Sequence, residues 1–294
     1  MSRPVHYRSH EADSARWVGF PFRADDIVIS SRPRTGTTWV QMICALLVFQ
    51  TPELPAPLWR LSPWIDHMVV PPRMMLDGLA EQRHRRFIKT HTPLDGIHQD
   101  ERVTFIVTAR HPLDMYVSLC HHLNNIDHRR MRQLTGEQQP EEPGMSLHDR
   151  VVRWIDADED PRRNLDSLPG VLWHMSDAWN RRDMPNVVLL HYDNLKSDLE
   201  GQMRMLAERL RIAVPEATWP ALVEAATFQR MRDNVDHLVP DTQGFFKDTK
   251  AFFHRGVSGA GPRMLTPAEL DRYHARTAAL AQPDLLAWLH NQAS

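Results

Sequence analysis

Asp26-Ile27-Val28-Ile29-Ser30-Ser31-Arg32-Pro33-Arg34-Thr35-Gly36-Thr37-Thr38-Trp39 changes character twice along its length. Asp26 to Ser30 is a short apolar run with charge before it and Ser-Arg-Pro after it, the pattern of a short buried strand. Gly36 permits a turn, and Thr37 to Gln50 reads as a helix entered through that loop. At such a junction the free N–H groups and the positive end of the helix dipole converge on one spot, which favours an anion. Thr37 and Thr38 add hydroxyl donors, and Arg34 adds a fixed positive charge. The stretch also fits a plain N-capped helix with a surface arginine, and by itself it leaves both readings open. The Walker A loop of nucleotide triphosphatases is absent. That loop ends in Gly-Lys-Ser/Thr, whereas here the cation stands two residues before the glycine.

Working outward, Arg86 to Thr90, Arg102 to Thr108 and Asn186 to His191 read as further strands. Helices are expected from Pro112 to about Asn124, with proline at the first position, and over Leu168 to Arg181, Leu195 to Leu210 and Thr266 to Leu280. Gln50 to Pro63 is proline-rich and expected to be irregular. Asn125 to Gly144, polar with Pro140 and Pro143, is expected as a loop, and Asn234 to Gly261 as a long irregular stretch. Strands alternating with helices imply an α/β fold, a parallel central sheet flanked by helices, with ligands beyond the carboxyl ends of the strands. One domain over residues 1–294 is expected.

Lys plus Arg is 35 against 37 for Asp plus Glu, a formal net charge of -2 that argues against a dedicated nucleic-acid binder while allowing a local basic pocket. The only cysteines, Cys44 and Cys120, lie in apolar helical contexts and read as buried thiols of a reducing compartment. No cysteine cluster suggests zinc, and no metal is expected. The polar stretch from Met1 to Arg16 shows no signal peptide, and the longest apolar run, Met42 to Phe49, is too short to span a bilayer, so the expected location is the cytoplasm.

Two other strand ends carry chemistry. Phe87-Ile88-Lys89-Thr90 leads into His91, and in an extended strand Lys89 and His91 project to the same face. An imidazole can accept a proton near neutral pH, and an adjacent cation can stabilise developing charge, although the chain holds 17 histidines and a surface role is the plainer reading of any one. Val103 to Thr108 ends in Ala109-Arg110, and Ser118 lies eight residues beyond Arg110, about two helical turns on. Such a pair can grip a phosphate monoester; the plainer reading pairs Arg110 with Asp114.

Arg34-Thr35-Gly36-Thr37-Thr38-Trp39 resembles the Lys-Ser-Gly-Thr-Thr-Trp loop of the PAPS-dependent cytosolic sulfotransferases, with Arg34 in place of lysine. Lys89-Thr90-His91 is similar to that family's Lys-Thr-His, and Arg110 to Ser118 to its Arg-to-Ser segment. The resemblance implies that the loop holds the 5′-phosphosulfate of PAPS, that His91 is the general base with Lys89 and Arg34 beside it, and that Arg110 and Ser118 hold the 3′-phosphate. It further implies that Trp39, Tyr192 and the Thr227-Phe228 pair meet the adenine, and that His254-Arg255-Gly256 resembles an Arg-Lys-Gly clamp on the 3′-phosphate, with histidine replacing an arginine. Gly259-Ala260-Gly261-Pro262 departs from the family's Gly-Asp-Trp-Lys, and the dimerisation motif is only partly recognisable around Leu265 to Asp271, so no oligomeric state follows. PAPS carries roughly four negative charges, which Arg34, Lys89, Arg110 and Arg255 would balance, with His254 as a pH-dependent fifth.

The expected reaction is sulfonate transfer from PAPS to a hydroxyl or amine, releasing PAP. The proline-rich stretch with Trp59, Trp64 and Met68 and the loop from Asn125 to Gly144 are expected to shape an apolar acceptor site. Phe-Ile-Lys-Thr-His-Thr-Pro-Leu-Asp-Gly, residues 87–96, resembles bacterial members acting on glycolipids or other lipophilic alcohols; phenols remain a further class. Two alternatives stand: a P-loop kinase, which would want an acidic residue where β-strand Val103 to Thr108 gives way to Arg110, and a PAP-binding relative without activity.

Overall fold

The computed structural model describes residues 3–9, 11–135, 144–239, 244–253 and 256–291. Four strands, β1 (Ile27–Ser31), β2 (Phe87–Thr90), β3 (Thr104–Ala109) and β4 (Val187–His191), form one sheet in the order β2-β1-β3-β4. Every pairing is parallel, with Val28 opposite Ile88 and Phe105, and Ile106 opposite Val188. Helices follow in chain order as α1 (Thr37–Phe49), α2 (Leu58–Leu61), α3 (Pro72–Glu81), α4 (Pro112–Asn125), α5 (His128–Thr135), α6 (Leu147–Asp156) and α7 (Leu168–Trp179). After β4 come α8 (Tyr192–Ser197), α9 (Leu199–Arg209), α10 (Trp219–Ala225), α11 (Phe228–Asp233), α12 (Val235–Leu238), α13 (Pro267–Leu280) and α14 (Pro283–Leu289).

Alternation along the strands builds two cores, one on each face of the sheet. Val28, Ile88, Phe105 and Val107 join residues of α3, α4, α6, α7, α13 and α14. Ile27, Ile29, Phe87, Ile106 and Leu190 join those of α1, α9 and α10. Burying both faces is what a parallel sheet requires, and each fully buried aliphatic side chain stabilises the fold by about 1.5–3 kcal/mol. Among the described residues no helix is long and apolar enough to cross a membrane.

The expected sheet and its main helices are present, and the differences have local causes. The stretch from Asn125 includes a helix, α5, because Asp127 accepts from the N–H of Arg130 at 3.0 Å and caps it; residues 136–143 of that expected loop lie outside the described residues. The helix expected over Leu195 to Leu210 is two, α8 and α9. Asp198 ends the first and caps the second through Gly201 N–H at 3.0 Å. The proline-rich stretch holds one turn, α2, and the stretch from Asn234 holds α12.

Candidate active site

All four strands deliver their carboxyl ends to one cavity of about 1000 Å³, lined by Arg34, Gly36, Thr37, Thr38, Trp39, Lys89, His91, Arg110, Ser118, Tyr192, Phe228 and Gly256. Residues far apart in the chain thus meet because a parallel sheet aligns its strand ends. Thr35 and Thr227 do not line it. The Thr35 hydroxyl is buried between the Arg32 carbonyl at 2.8 Å and Thr108 Oγ1 at 2.6 Å, and Thr227 caps α11, its hydroxyl donating to the Glu224 carbonyl. His254 and Arg255 lie outside the described residues.

One end of the cavity is shaped for an anion. Gly36, with φ 106, is the N-cap of α1 and supplies no side-chain cap, so the first N–H groups of the helix are left for a ligand. A side chain here would be strained by that φ and would press on the Tyr192 ring, 3.2 Å from an added Cβ. Arg34 Nε donates to Ser118 Oγ at 3.1 Å and Nη2 to the Phe252 carbonyl at 2.8 Å. Arg110 donates to the carbonyls of Arg34 and Val257, lies 4.4 Å over the Tyr192 ring, and keeps a buried Nε without a partner. Asp114 does not pair with Arg110; its carboxylate accepts from the N–H groups of Gly259 and Gly261, tying the late loop to α4. Burial and, next, the neighbouring Arg110 charge push the Arg34 guanidinium down to about 10. Trp39 donates to the Ala226 carbonyl at 2.8 Å and meets Tyr192 edge-on, while the Phe228 ring packs under Gly256.

At the other strand end, His91 is buried and its Nδ1 donates to the Ser31 carbonyl at 2.5 Å. A carbonyl only accepts, so Nδ1 carries the proton and Nε2 keeps its lone pair. Burial, followed by the charges of Lys89 and Arg32, holds the ring well below the ordinary histidine range, so it is neutral at pH 7. Lys89 Nζ lies 4.2 Å from the centre of the Trp64 ring, and burial pushes it down to about 8 against the pull of Asp66 and Glu11. Arg34, Lys89 and Arg110 find hydroxyls, carbonyls and rings; among the described residues none has a salt bridge, whereas Arg32 is paired with Asp166 and Arg86 with Asp26.

Several residues that hold this arrangement carry no local signal in the sequence. Arg32 donates to the His91 carbonyl and to Asp166, linking the loop after β1 to the histidine. Asp66 Oδ2 accepts from the hydroxyls of Thr90 and Thr92, at 2.6 and 2.7 Å, and from His91 N–H at 3.3 Å. Pro63 to Ile65 pair with Lys89 along the free edge of β2, which sets Trp64 edge-on to His91 at 4.6 Å. The rest of the cavity wall mixes polar side chains, Asn124, Arg150, Arg153, Glu159, Asn164 and Asp166, with apolar and aromatic ones, Tyr116, Leu119, Leu123, Ile126, Trp154 and Phe252. Of the stretches expected to shape an apolar acceptor site, Trp64 and Ile126 line the cavity and Trp59 and Met68 do not; the polar side chains come from α4, α6 and the segment before α7, which the sequence alone does not bring together. Among the described residues no group of three or more His, Cys, Asp or Glu is arranged to hold a metal ion.

A family model described as a sulfotransferase domain matches residues 24–282. The chain belongs to the sulfotransferase family. It is 36% identical over 317 aligned positions to a glycolipid sulfotransferase of Mycobacterium bovis (strain BCG / Pasteur 1173P2), covering 99% of this chain and 95% of that protein. Sulfotransferase 1A1 of Rattus norvegicus is 24% identical, with 86% of this chain and 84% of the rat protein covered. Among solved structures, retinol dehydratase in complex with androsterone and the inactive cofactor PAP superposes with a TM-score of 0.68 at 18% identity, covering 92% of this chain and 86% of that one. Mouse sulfotransferase SULT7A1 complexed with PAP gives 0.66 at 19% identity, covering 95% and 93%. The sulfotransferase fold, its parallel sheet and its loop after β1 are therefore those of this chain.

Proposed function

We propose that this sulfotransferase moves a sulfonate group from PAPS to a hydroxyl of an amphiphilic, glycolipid-type acceptor, with His91 as general base. The observation that carries the reading is the unbalanced positive charge of Arg34, Lys89 and Arg110 around the open start of α1, one cavity wall away from a neutral imidazole. A ligand anionic at two points fits it, because three cations without carboxylate partners lower their own free energy by binding one. The unpartnered Nε of Arg110 supports a phosphate there. The acceptor class is supported by the glycolipid sulfotransferase at 36% identity and by a cavity wall that mixes polar with apolar and aromatic side chains, suited to an amphiphile.

When bound, PAPS supplies the sulfonate, and its S–O bond to the phosphate breaks to leave PAP. Nε2 of His91 takes the acceptor hydroxyl proton as that oxygen bonds to sulfur. Lys89 and Arg34 meet the charge that gathers on the leaving phosphate oxygen. Arg110 and the N–H groups after Gly36 orient the nucleotide; Trp39, Tyr192 and Phe228 offer the adenine aromatic surface, worth about 1–3 kcal/mol per stacked base. Ser31, through its carbonyl, and Arg32 keep the imidazole in place and in the required tautomer. Calorimetry with PAP and with ATP–Mg²⁺, followed by labelled-sulfate transfer from PAPS to a panel of glycolipids, alcohols and phenols, tests it. Tight PAP binding and sulfated glycolipid are expected. ATP–Mg²⁺ binding without PAP binding would mean a kinase-like protein, and PAP binding with no transfer to any acceptor would mean a nucleotide-binding relative.

A further inference from the structure

The cavity poses a problem for any acceptor with long acyl chains. Pockets of about 300–1000 Å³ hold one drug-sized ligand, and this cavity of about 1000 Å³ has to take a nucleotide as well as an acceptor head. Its wall mixes polar side chains such as Asn124, Arg150 and Glu159 with apolar ones such as Leu119, Leu123 and Ile126. Beside a nucleotide and a head group that volume leaves no room for long hydrocarbon tails, which stay in the bilayer, so the enzyme has to come to the membrane.

Its surface carries a feature suited to that. Residues 68–74, Met-Val-Val-Pro-Pro-Arg-Met, run from the cavity rim into the first turn of α3. Met68 N–H donates to the carbonyl of Glu11 at 2.8 Å, His67 stacks on Trp64, and both Glu11 and Trp64 line the cavity. The apolar stretch thus begins at the mouth. Met68, Val69 and Val70 are half-exposed, Pro71 and Pro72 are exposed, and Met74 is 66% exposed. Met75 and Leu79 anchor α3 to the core and Arg23 donates to the Ala80 carbonyl at its far end, which leaves the first turn as an apolar tip. Arg73, with its side chain 93% exposed and its Nε 3.7 Å from Asp77 Oδ2, sits at the shoulder of that tip; so exposed an ion pair holds the head weakly, leaving it able to reach lipid phosphate while its stem lies along apolar chains. A stretch of seven residues is too small for a stable interface with a second protein, which takes about 20–30 residues a side.

We infer that residues 68–74 are a bilayer-docking tip that holds the cavity mouth against the membrane containing the acceptor; this rests on the amphiphilic-acceptor reading above. The test uses the full chain with vesicles of phosphatidylglycerol and phosphatidylcholine, and the double variant Val69→Glu/Met74→Glu, whose parent residues belong to neither core. Vesicle flotation without any acceptor is the first readout: the parent protein co-floats, and the variant partitions about tenfold less. The second is sulfonate transfer. The variant keeps the parent rate on a short-chain, water-soluble glycoside and falls about tenfold on the same head group embedded in vesicles. The inference is overturned if the parent protein does not co-float, if the variant floats equally well, or if the variant instead dissociates a dimer in sedimentation velocity. Loss of activity on the soluble glycoside would also overturn it, because the tip would then be part of the site itself. If the parent protein co-floats but sulfates no glycoside, soluble or embedded, the acceptor reading fails while the docking tip stands.

Discussion

Nδ1 of His91 donates to the backbone carbonyl of Ser31 across 2.5 Å, joining the end of β2 to the end of β1. The bond removes one tautomer: Nε2 is left as the acceptor of protons on the cavity side. The neighbouring interactions reinforce it, with Arg32 on the His91 carbonyl and Asp66 on its N–H.

Replacing His91 by alanine therefore removes the base without removing the nucleotide site. Turnover is expected to fall by about 10²–10⁴-fold, while PAP affinity by calorimetry stays within a factor of a few. Near-normal turnover in His91→Ala would end the base assignment.

Lys89 gives the pH dependence. Its folded value is pushed down to about 8, so it is charged below that and neutral above. An anionic ligand favours the charged form, so binding above pH 8 must take up a proton, and PAP affinity is expected to weaken as pH rises through about 8. Calorimetry across that range in buffers of different ionisation enthalpy reads the proton uptake directly. Lys89→Met should bind more weakly and with a flat profile in this window. His91, held well below the ordinary range, predicts that turnover keeps its base form through neutral pH and declines only in acid.

Arg110→Ala removes a guanidinium that rests on Tyr192 and has a free Nε. A charge-assisted hydrogen bond to phosphate contributes about 1.5–3 kcal/mol, so PAP should bind roughly 10- to 150-fold more weakly, whereas adenosine, lacking phosphates, should show no comparable loss. Equal losses for both ligands would place the defect in adenine packing instead.

Asp66→Ala is expected to be costly for stability as well as activity. It leaves the Thr90 and Thr92 hydroxyls and the His91 N–H without their buried acceptor, at about 1–3 kcal/mol for each group left unsatisfied. Urea denaturation should show a lowered midpoint with an unchanged slope, and Asp66→Asn should recover part of the loss.

Ile106→Ala tests the central strand. Ile106 is fully buried in the core shared with α1 and α9, and the truncation should cost about 2–5 kcal/mol by denaturation. Vesicle flotation and PAP binding of the folded fraction should be unaffected.

The order of strands and helices, the loop after β1 and the pairing of Lys89 with His91 were all legible in the chain, because each rests on short-range pattern: apolar runs, a glycine before a helix, and alternation along a strand. Helices α3 and α14 escaped; α6 and the breaks at Asp198 and Asp127 escaped too, since single capping residues decide them and look like ordinary polar residues in sequence.

What only tertiary structure decided is which groups face the ligand. Ser118 is joined to Arg34, Asp114 holds the loop near Gly259 in preference to Arg110, and Thr35 and Thr227 turn to backbone carbonyls. Arg32, Asp66 and Trp64 entered the site through contacts spanning 24 to 134 positions. The sequence determined the chemistry on offer, since residue type and local spacing set charge and donor capacity. The fold determined its use, since a buried polar group takes whichever partner packing brings within hydrogen-bond reach, and that partner is seldom a neighbour in the chain.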